Sequence, residues 1–284
     1  MKKIEKIQHP ITSFGINLVS HAQIRFERLA LRVEPNIPFP HKHSFYQLLL
    51  VSEGRGTHTI DFKTHEVSRR SLFLMKPGQM HAWKLSKNIQ GLLLEFNRES
   101  LRLFQDEHLL NEFDTCTDAL MVSEKSFIHL QKLFEYGLEI HKKNNSYEDL
   151  SLGALLTMIL VSILELPNIN TENLKPNNVV NQFRALLETY YKTHHEVDFY
   201  AGQLQMNPKN LSMHLSRHLG KSPRALIHQR LILEAKRYLA YSDLSIGAIA
   251  EVLGFEDQNY FTRFYKKSEG YPPRQFKKIQ GHIT

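Results

Sequence analysis

Cysteine is almost absent from this chain, which has one, Cys116, in 284 residues. A single thiol cannot form an internal disulfide or supply a zinc site made of several cysteines. The disulfide-rich secreted domains are therefore excluded. A redox role would require a lowered thiol pKa, which a sequence does not show, so Cys116 is interpreted as a buried or partly exposed thiol.

Long hydrophobic runs are also missing. The longest nearly apolar stretch, residues 153–164, is interrupted by Thr157 and Ser162 and is shorter than the roughly 20 residues that cross a bilayer. It predicts a buried helix. The basic residues at the start of the chain are not followed by an apolar segment, so no secretory signal is predicted. We expect a cytoplasmic protein with no membrane partner.

What is present is ordinary globular composition with an uneven distribution of charge. Hydrophobic residues make up 42% of the chain and charged residues 23%, and the length predicts two domains. Lys and Arg outnumber Asp and Glu by 15 to 9 in residues 176–284 but only by 21 to 20 in residues 1–175. A basic domain beside a neutral one indicates a polyanionic partner, usually nucleic acid, although a merely solubilising charge bias would look the same.

The hydrophobic pattern changes along the chain from strands to helices. Short strand-like runs separated by turn residues fill residues 45–96, which is typical of a barrel or sandwich. Helical spacing follows in residues 124–142 and 147–165, and residues 167–178 are polar, with two prolines and five asparagines. We predict an α+β multidomain protein: a domain of strands followed by helices over residues 1–166, a linker over 167–178 and an all-α domain over 179–284.

One helical pattern occurs twice in the last of these segments. A short amphipathic helix over residues 199–206 is followed by a break at Asn207 and Pro208 and by a second helix with a stripe of Leu211, Leu215 and Leu219. The same arrangement returns 50 residues later, around Phe261, and a long helix over residues 223–241 lies between the copies. Two short helices joined by a sharp turn are the architecture of the DNA-binding helix-turn-helix.

The exposed faces of both second helices carry Lys, Arg, Gln and Asn, whose side chains match base edges and phosphates. Two packed helical hairpins without a DNA-binding role are the alternative interpretation. The polar and basic faces of both copies, which lie within the basic part of the chain, argue against that alternative. We therefore predict two DNA-binding units.

Residues 179–278 resemble the AraC/XylS family of bacterial transcription regulators. Residues 245–267, followed by Gly270-Tyr271-Pro272-Pro273, match the family's signature nearly throughout. The resemblance implies that each recognition helix enters one of two successive major-groove segments on one face of DNA. Base reading is implied for Lys209, Ser212 and Met213 in the first helix and for Gln258, Asn259 and Arg263 in the second. Met213 departs from the arginine often found there and would make only apolar contact, for instance with a thymine methyl. The complete predicted DNA-binding set is Lys209, Asn210, Ser212, Met213, Arg217, Asp257, Gln258, Asn259, Thr262, Arg263, Lys266 and Lys267.

The N-terminal domain resembles a cupin barrel. His41, His43 and a later Pro77-Gly78-Gln79-Met80-His81 match the two cupin motifs, but Gln47 stands where metal-binding cupins have glutamate. A neutral amide holds a divalent cation less well, so no metal or other cofactor is predicted. The AraC/XylS resemblance includes metal-free barrels that hold a small molecule. The candidate lining residues are His41, His43, Tyr46, Gln47, His81 and Trp83, with a packed barrel core as the alternative.

These features favour a transcription regulator without enzymatic activity. Its expected partners are double-stranded DNA, a small-molecule effector in the barrel, a second copy of the chain and, as a further possibility, RNA polymerase. A metal-dependent cupin enzyme with an accessory DNA-binding domain is the first alternative, and Gln47 argues against it. A constitutive architectural DNA binder with a filled barrel is the second.

Overall fold

The computed structural model describes residues 24–29, 40–104, 107–143, 146–169 and 178–280. The chain divides into two compact units, residues 1–171 and 172–284. Most of the predicted linker, residues 170–177, lies outside the described residues. The order of a β-rich unit followed by a helical one confirms the predicted α+β multidomain class.

The first unit contains two antiparallel sheets. The larger has the order β1-β7-β2-β5-β8 and the smaller has the order β4-β3-β6. The described strands thus form two sheets with a shared core rather than one closed barrel. The strands are β1 (Ile24–Arg28), β2 (Tyr46–Glu53), β3 (Gly56–Ile60), β4 (Lys63–Val67), β5 (Ser71–Met75), β6 (His81–Leu85), β7 (Gln90–Phe96) and β8 (Ala119–Met121).

Both faces of the larger sheet are buried, because alternate side chains of a strand point to opposite faces. On β2, Leu48 and Leu50 pack in a core shared with the helices of this unit. Leu49 and Val51 pack in a second core with Ile60 of the smaller sheet. We call the space between the two sheets the sensor interior.

Helices cover the outer face of the larger sheet. They are a 3-10 helix (Arg98–Phe104), α1 (Glu107–Phe113), α2 (Glu124–Lys143) and α3 (Glu148–Leu164). Phe134 of α2 meets Phe26 of β1 edge to face, with ring centroids 5.9 Å apart. Cys116 is buried in this core, and burial raises the pKa of its thiol to about 12, so it stays protonated. Within the described ranges, no helix is long and apolar enough to cross a membrane.

The second unit contains seven described helices, and six of them surround the long helix α7. The predicted long helix is confirmed, with Pro223 and Tyr241 as its ends. Arg230 of α7 donates to both carboxylate oxygens of Glu188 at 2.9 Å, which fixes α7 against α4 (Asn178–Tyr190), and it donates to Glu234 of its own helix at 3.0 Å. The helices are α4 (Asn178–Tyr190), α5 (Val197–Gln203), α6 (Pro208–Leu219), α7 (Pro223–Tyr241), α8 (Ile246–Val252), α9 (Gln258–Glu269) and α10 (Pro273–Gln280).

Candidate DNA interface and sensor interior

The first helix-turn-helix consists of α5 and α6, and local sequence signals set the ends of α6. The Asn207 side chain accepts a hydrogen bond from the Lys209 N–H at 2.9 Å, and Pro208 occupies the first turn, where its missing N–H costs nothing. Gly220 ends the helix in the left-handed region, at φ 65°. The predicted inward stripe is confirmed, since Leu211, Leu215 and Leu219 are all buried.

The second helix-turn-helix, α8 and α9, repeats this construction 50 residues later. Asp257 takes the place of Asn207, and its two carboxylate oxygens accept from the N–H groups of Asn259 at 3.0 Å and Tyr260 at 2.9 Å. These backbone hydrogen bonds lower the pKa of the Asp257 carboxyl. Asp257, predicted as a DNA contact, therefore serves in the structure as the cap that positions α9.

The turn between α8 and α9 is braced from outside the motif. Gly254 has φ +77°, and a Cβ there would lie 1.9 Å from the Lys192 carbonyl oxygen. One residue earlier, the Leu253 carbonyl lies 2.9 Å from Nε2 of His195, in the segment between α4 and α5. Only glycine fits this close approach. The segment that leads into the first helix-turn-helix therefore also holds the second one.

The structure places the predicted DNA-binding residues on the outer faces of α6 and α9. Ser212 and Thr262 are partly exposed, and the other residues of the set are exposed. The side chain of Gln258 folds back over α8. Its Oε1 lies 2.7 Å from the position that a Cβ added at Gly247 would occupy. The exposed basic residues of this surface are Lys209, Arg217, Arg263, Lys266 and Lys267.

In the first unit, histidines from separate segments meet in the sensor interior. The backbone of His41 forms two hydrogen bonds with that of His81, at 3.0 and 2.8 Å, and their ring centroids lie 4.3 Å apart. The centroid of the His81 ring lies 5.0 Å from that of His43 and 5.8 Å from that of Trp83. His58, from β3, places Nε2 at 3.2 Å from Nδ1 of His81.

The His58 and His81 pair is uncharged at neutral pH. Burial, followed by the neighbouring histidines, lowers the pKa of His58 to about 3, and burial sets the pKa of His81 well below 6.5. In a pair of neutral imidazoles one ring donates the shared hydrogen bond and the other accepts it. Whichever ring donates, the two outer nitrogens are then one donor and one acceptor.

Several polar atoms of this interior have no hydrogen-bond partner among the described residues: Nδ1 of His58, Nε2 of His81, Nε2 of His65 and Oε1 of Gln47. Leaving one such buried atom unsatisfied costs about 1–3 kcal/mol. Side chains of this kind are normally satisfied by water or by a ligand. These atoms are therefore candidates for hydrogen bonds to water or to a bound small molecule.

Gln47, at the position where the cupin resemblance implies a metal-binding glutamate in other proteins, is paired with a carboxylate. Its amide nitrogen donates to Oε1 of Glu95 on the neighbouring strand at 2.7 Å, and both residues are buried. In the part of the chain that the structure describes, no group of three or more His, Cys, Asp or Glu residues has a metal-binding arrangement.

Tyr46 is separated from the other five candidate lining residues. It precedes Gln47 on β2 and so points to the opposite face of the sheet, where its ring stacks on Phe96 at 4.9 Å. Its hydroxyl donates to Asp114 at 2.8 Å and accepts from Arg98 at 3.0 Å. Tyr46 thus joins the sheet to the helical layer and does not line the sensor interior.

Sequence reasoning missed three polar residues of the interior. His58 is in phase with the buried Ile60 on β3, and His65 pairs with His58 across the hairpin. Glu95 follows the apolar run of residues 91–94 within the buried part of strand β7. Two features of the sequence could have indicated these residues. One is a carboxylate within an apolar run, and the other is a histidine two residues from an apolar residue on the same strand.

Comparison with known proteins agrees with this division. Residues 34–160 match the family model described as an AraC-like ligand binding domain, and residues 200–279 match a helix-turn-helix domain model. The HTH-type transcriptional activator RhaS of Enterobacter sp. (strain 638) is 22% identical over 255 residues, which covers 86% of this chain and 91% of that protein.

Two solved structures are similar at low sequence identity. ToxT from Vibrio cholerae is 13% identical and covers 92% of this chain and 99% of its own, with a TM-score of 0.43. The C-terminal domain of the two-component response regulator yesN from Fusobacterium nucleatum is 25% identical and covers 36% of this chain and 99% of its own, with a TM-score of 0.34.

Proposed function

Because the chain belongs to the AraC/XylS family of transcription regulators, we propose that it is a cytoplasmic transcription activator whose DNA affinity is set by an effector in the sensor interior. DNA binding and control by an effector are the functions of the family. The name of the RhaS relative supports activation rather than repression. The proposal includes no catalytic step.

The observation that best supports DNA binding is the repeated construction of α6 and α9, in which a capping residue begins each helix and a glycine ends it. Each helix starts at an Asn or Asp cap, ends at a left-handed glycine and presents polar or basic side chains outward. The α4–α5 segment braces the second motif at Gly254, which supports one unit placing both helices in successive major-groove segments. Lys209, Arg217 and Lys266 would neutralise phosphates, so binding should weaken steeply with salt.

The effector would be a small molecule with both hydrogen-bond donors and acceptors. The His58 and His81 pair leaves one of each, and Gln47 adds a carbonyl acceptor. His41, His43 and Trp83 border the same cluster, which supports their assignment as lining residues. An effector changes DNA binding only if it binds one conformation of the protein better than the other.

A second copy of the chain would cover the outer face of α3. Leu150 and Met158 are 55% and 54% exposed and Val161 is 41% exposed, with Ala154 exposed between them. Their spacing of three and four residues gives one apolar stripe, which is suited to an antiparallel or parallel helix pair. We propose homodimerisation through this face, with RNA polymerase as a further partner at the promoter.

The first experiment is a titration of the full-length protein against genomic fragments, including the region upstream of its own gene, at several salt concentrations. We expect saturable binding to a fragment that resists competition by random DNA, with a steep salt dependence. A screen of small molecules by Trp83 fluorescence would follow, because this is the only tryptophan in the chain. Equal affinity for every fragment would contradict the regulator function.

A further inference from the structure

The first recognition helix, α6, carries an exposed apolar side chain on its outer surface. Met213 is 67% exposed. Of its neighbours three and four residues away on that face, Ser216 has a short side chain, so the thioether is not covered from that side. Single exposed apolar residues are common on proteins, but this one lies on the face that otherwise holds the predicted DNA contacts.

The corresponding position of α9 holds an arginine. Counted from the caps Asn207 and Asp257, Met213 and Arg263 are both the sixth residue of their helices, and both are exposed. The guanidinium of an arginine can donate two hydrogen bonds to O6 and N7 of guanine. A methionine side chain has no donor, and its apolar partner in the major groove is the 5-methyl group of thymine.

We propose that the protein reads the two halves of its operator by different chemistry, with Met213 selecting thymine and Arg263 selecting guanine. The short Ser216 leaves room on one side of the thioether for a base edge to approach. Contact with the thymine methyl would remove both apolar groups from water, which favours binding by the hydrophobic effect. This inference rests on the proposed DNA-binding function, but it concerns only the basis of sequence choice.

The test starts with selection of binding sites from random DNA by the full-length protein and by Met213→Arg. The half-site that changes in the variant is the one under α6, and we expect guanine to replace thymine there. Uracil is then substituted for each thymine of that half-site, which removes only the methyl group. At one or two positions binding should weaken about 3- to 5-fold, the contribution expected for one buried methyl group.

Three further variants separate this contact from a general loss of structure. Met213→Gln, similar in shape but polar, should bind thymine and uracil sites equally, whereas Met213→Leu should keep the preference for thymine. In the other half-site, 7-deazaguanine, which lacks the N7 acceptor, should weaken the wild type but not Arg263→Ala. An operator that tolerates uracil at every position, or an unchanged half-site with Met213→Arg, would overturn the inference. Failure to enrich any site would instead overturn sequence-specific binding itself.

Discussion

Buried polar groups are arranged differently in the two units of the chain. In the second unit, the buried Glu234 lies 3.0 Å from both Arg230 and Arg237, so opposite charges compensate one another. In the first unit, His58 and His81 contact each other, and each retains a nitrogen without a partner among the described residues. The buried charges of the DNA-binding unit are thus paired within it, although Nδ2 of Asn181 and the Tyr265 hydroxyl there also have no partner among the described residues. In the sensor interior, the unpartnered atoms of His58 and His81 lie together in one neutral pair.

If the second unit depends on close internal contacts, one added methyl group where its segments meet should unfold it. Gly254→Ala would place Cβ 1.9 Å from the Lys192 carbonyl oxygen at φ +77°. We expect a loss of at least about 4 kcal/mol of stability and of DNA binding. Far-UV circular dichroism follows the helices of both units and Trp83 fluorescence follows only the first, so the part of the circular dichroism transition that fluorescence does not share reports the second unit.

Two glycines provide matched controls for this substitution. Gly202→Ala in α5 meets no atom within 4 Å and should not destabilise the unit. Gly270→Ala also has open space but φ +84°, so it should cost about 1–2 kcal/mol from backbone strain alone. Equal losses for Gly254→Ala and Gly270→Ala would show that the Lys192 segment moves aside without cost.

The charge network of the second unit should be the next most sensitive feature. Glu234→Gln would leave Arg230 and Arg237 with reduced compensation in a buried site, and we expect a loss of about 3 kcal/mol. Glu188→Gln is the control, because it faces the same arginine from a position where its side chain is 60% exposed. Its expected cost is below about 1 kcal/mol. The measurement is urea unfolding followed by circular dichroism, and equal costs would contradict the distinction between buried and exposed partners.

These two units also differ in how much the sequence could predict. The ends of α6 and α9 follow from Asn207, Asp257, Gly220 and Gly270, because capping depends on residues adjacent along the chain. The polar set of the sensor interior depends on strand register and on contacts between distant segments, and a shift of one residue reverses the face. That is why His58, His65 and Glu95 were missed, although strand alternation alone could have separated Tyr46 from Gln47.

A mild acid treatment should affect the sensor unit through its neutral histidines. The pKa of His58 is about 3 in the folded protein against 6.5 as its ordinary value, so the unfolded state binds the proton more tightly. Stability from this residue is complete above pH 6.5 and is lost as the pH falls toward 3. At pH 5 the loss should be about 2 kcal/mol.

The measurement is the urea midpoint of the Trp83 fluorescence transition between pH 7.5 and pH 5. His58→Gln should remove this part of the pH dependence even if it lowers stability at pH 7.5, because glutamine does not titrate. His129→Gln, at an exposed position on α2 of the same unit, is the matched control and should retain the full pH dependence. A wild-type midpoint that stays constant over this range would mean that the interior accepts protons readily. The contrast between a DNA-binding unit whose buried charges are paired and a sensor interior that keeps His58 and His81 neutral would then fail.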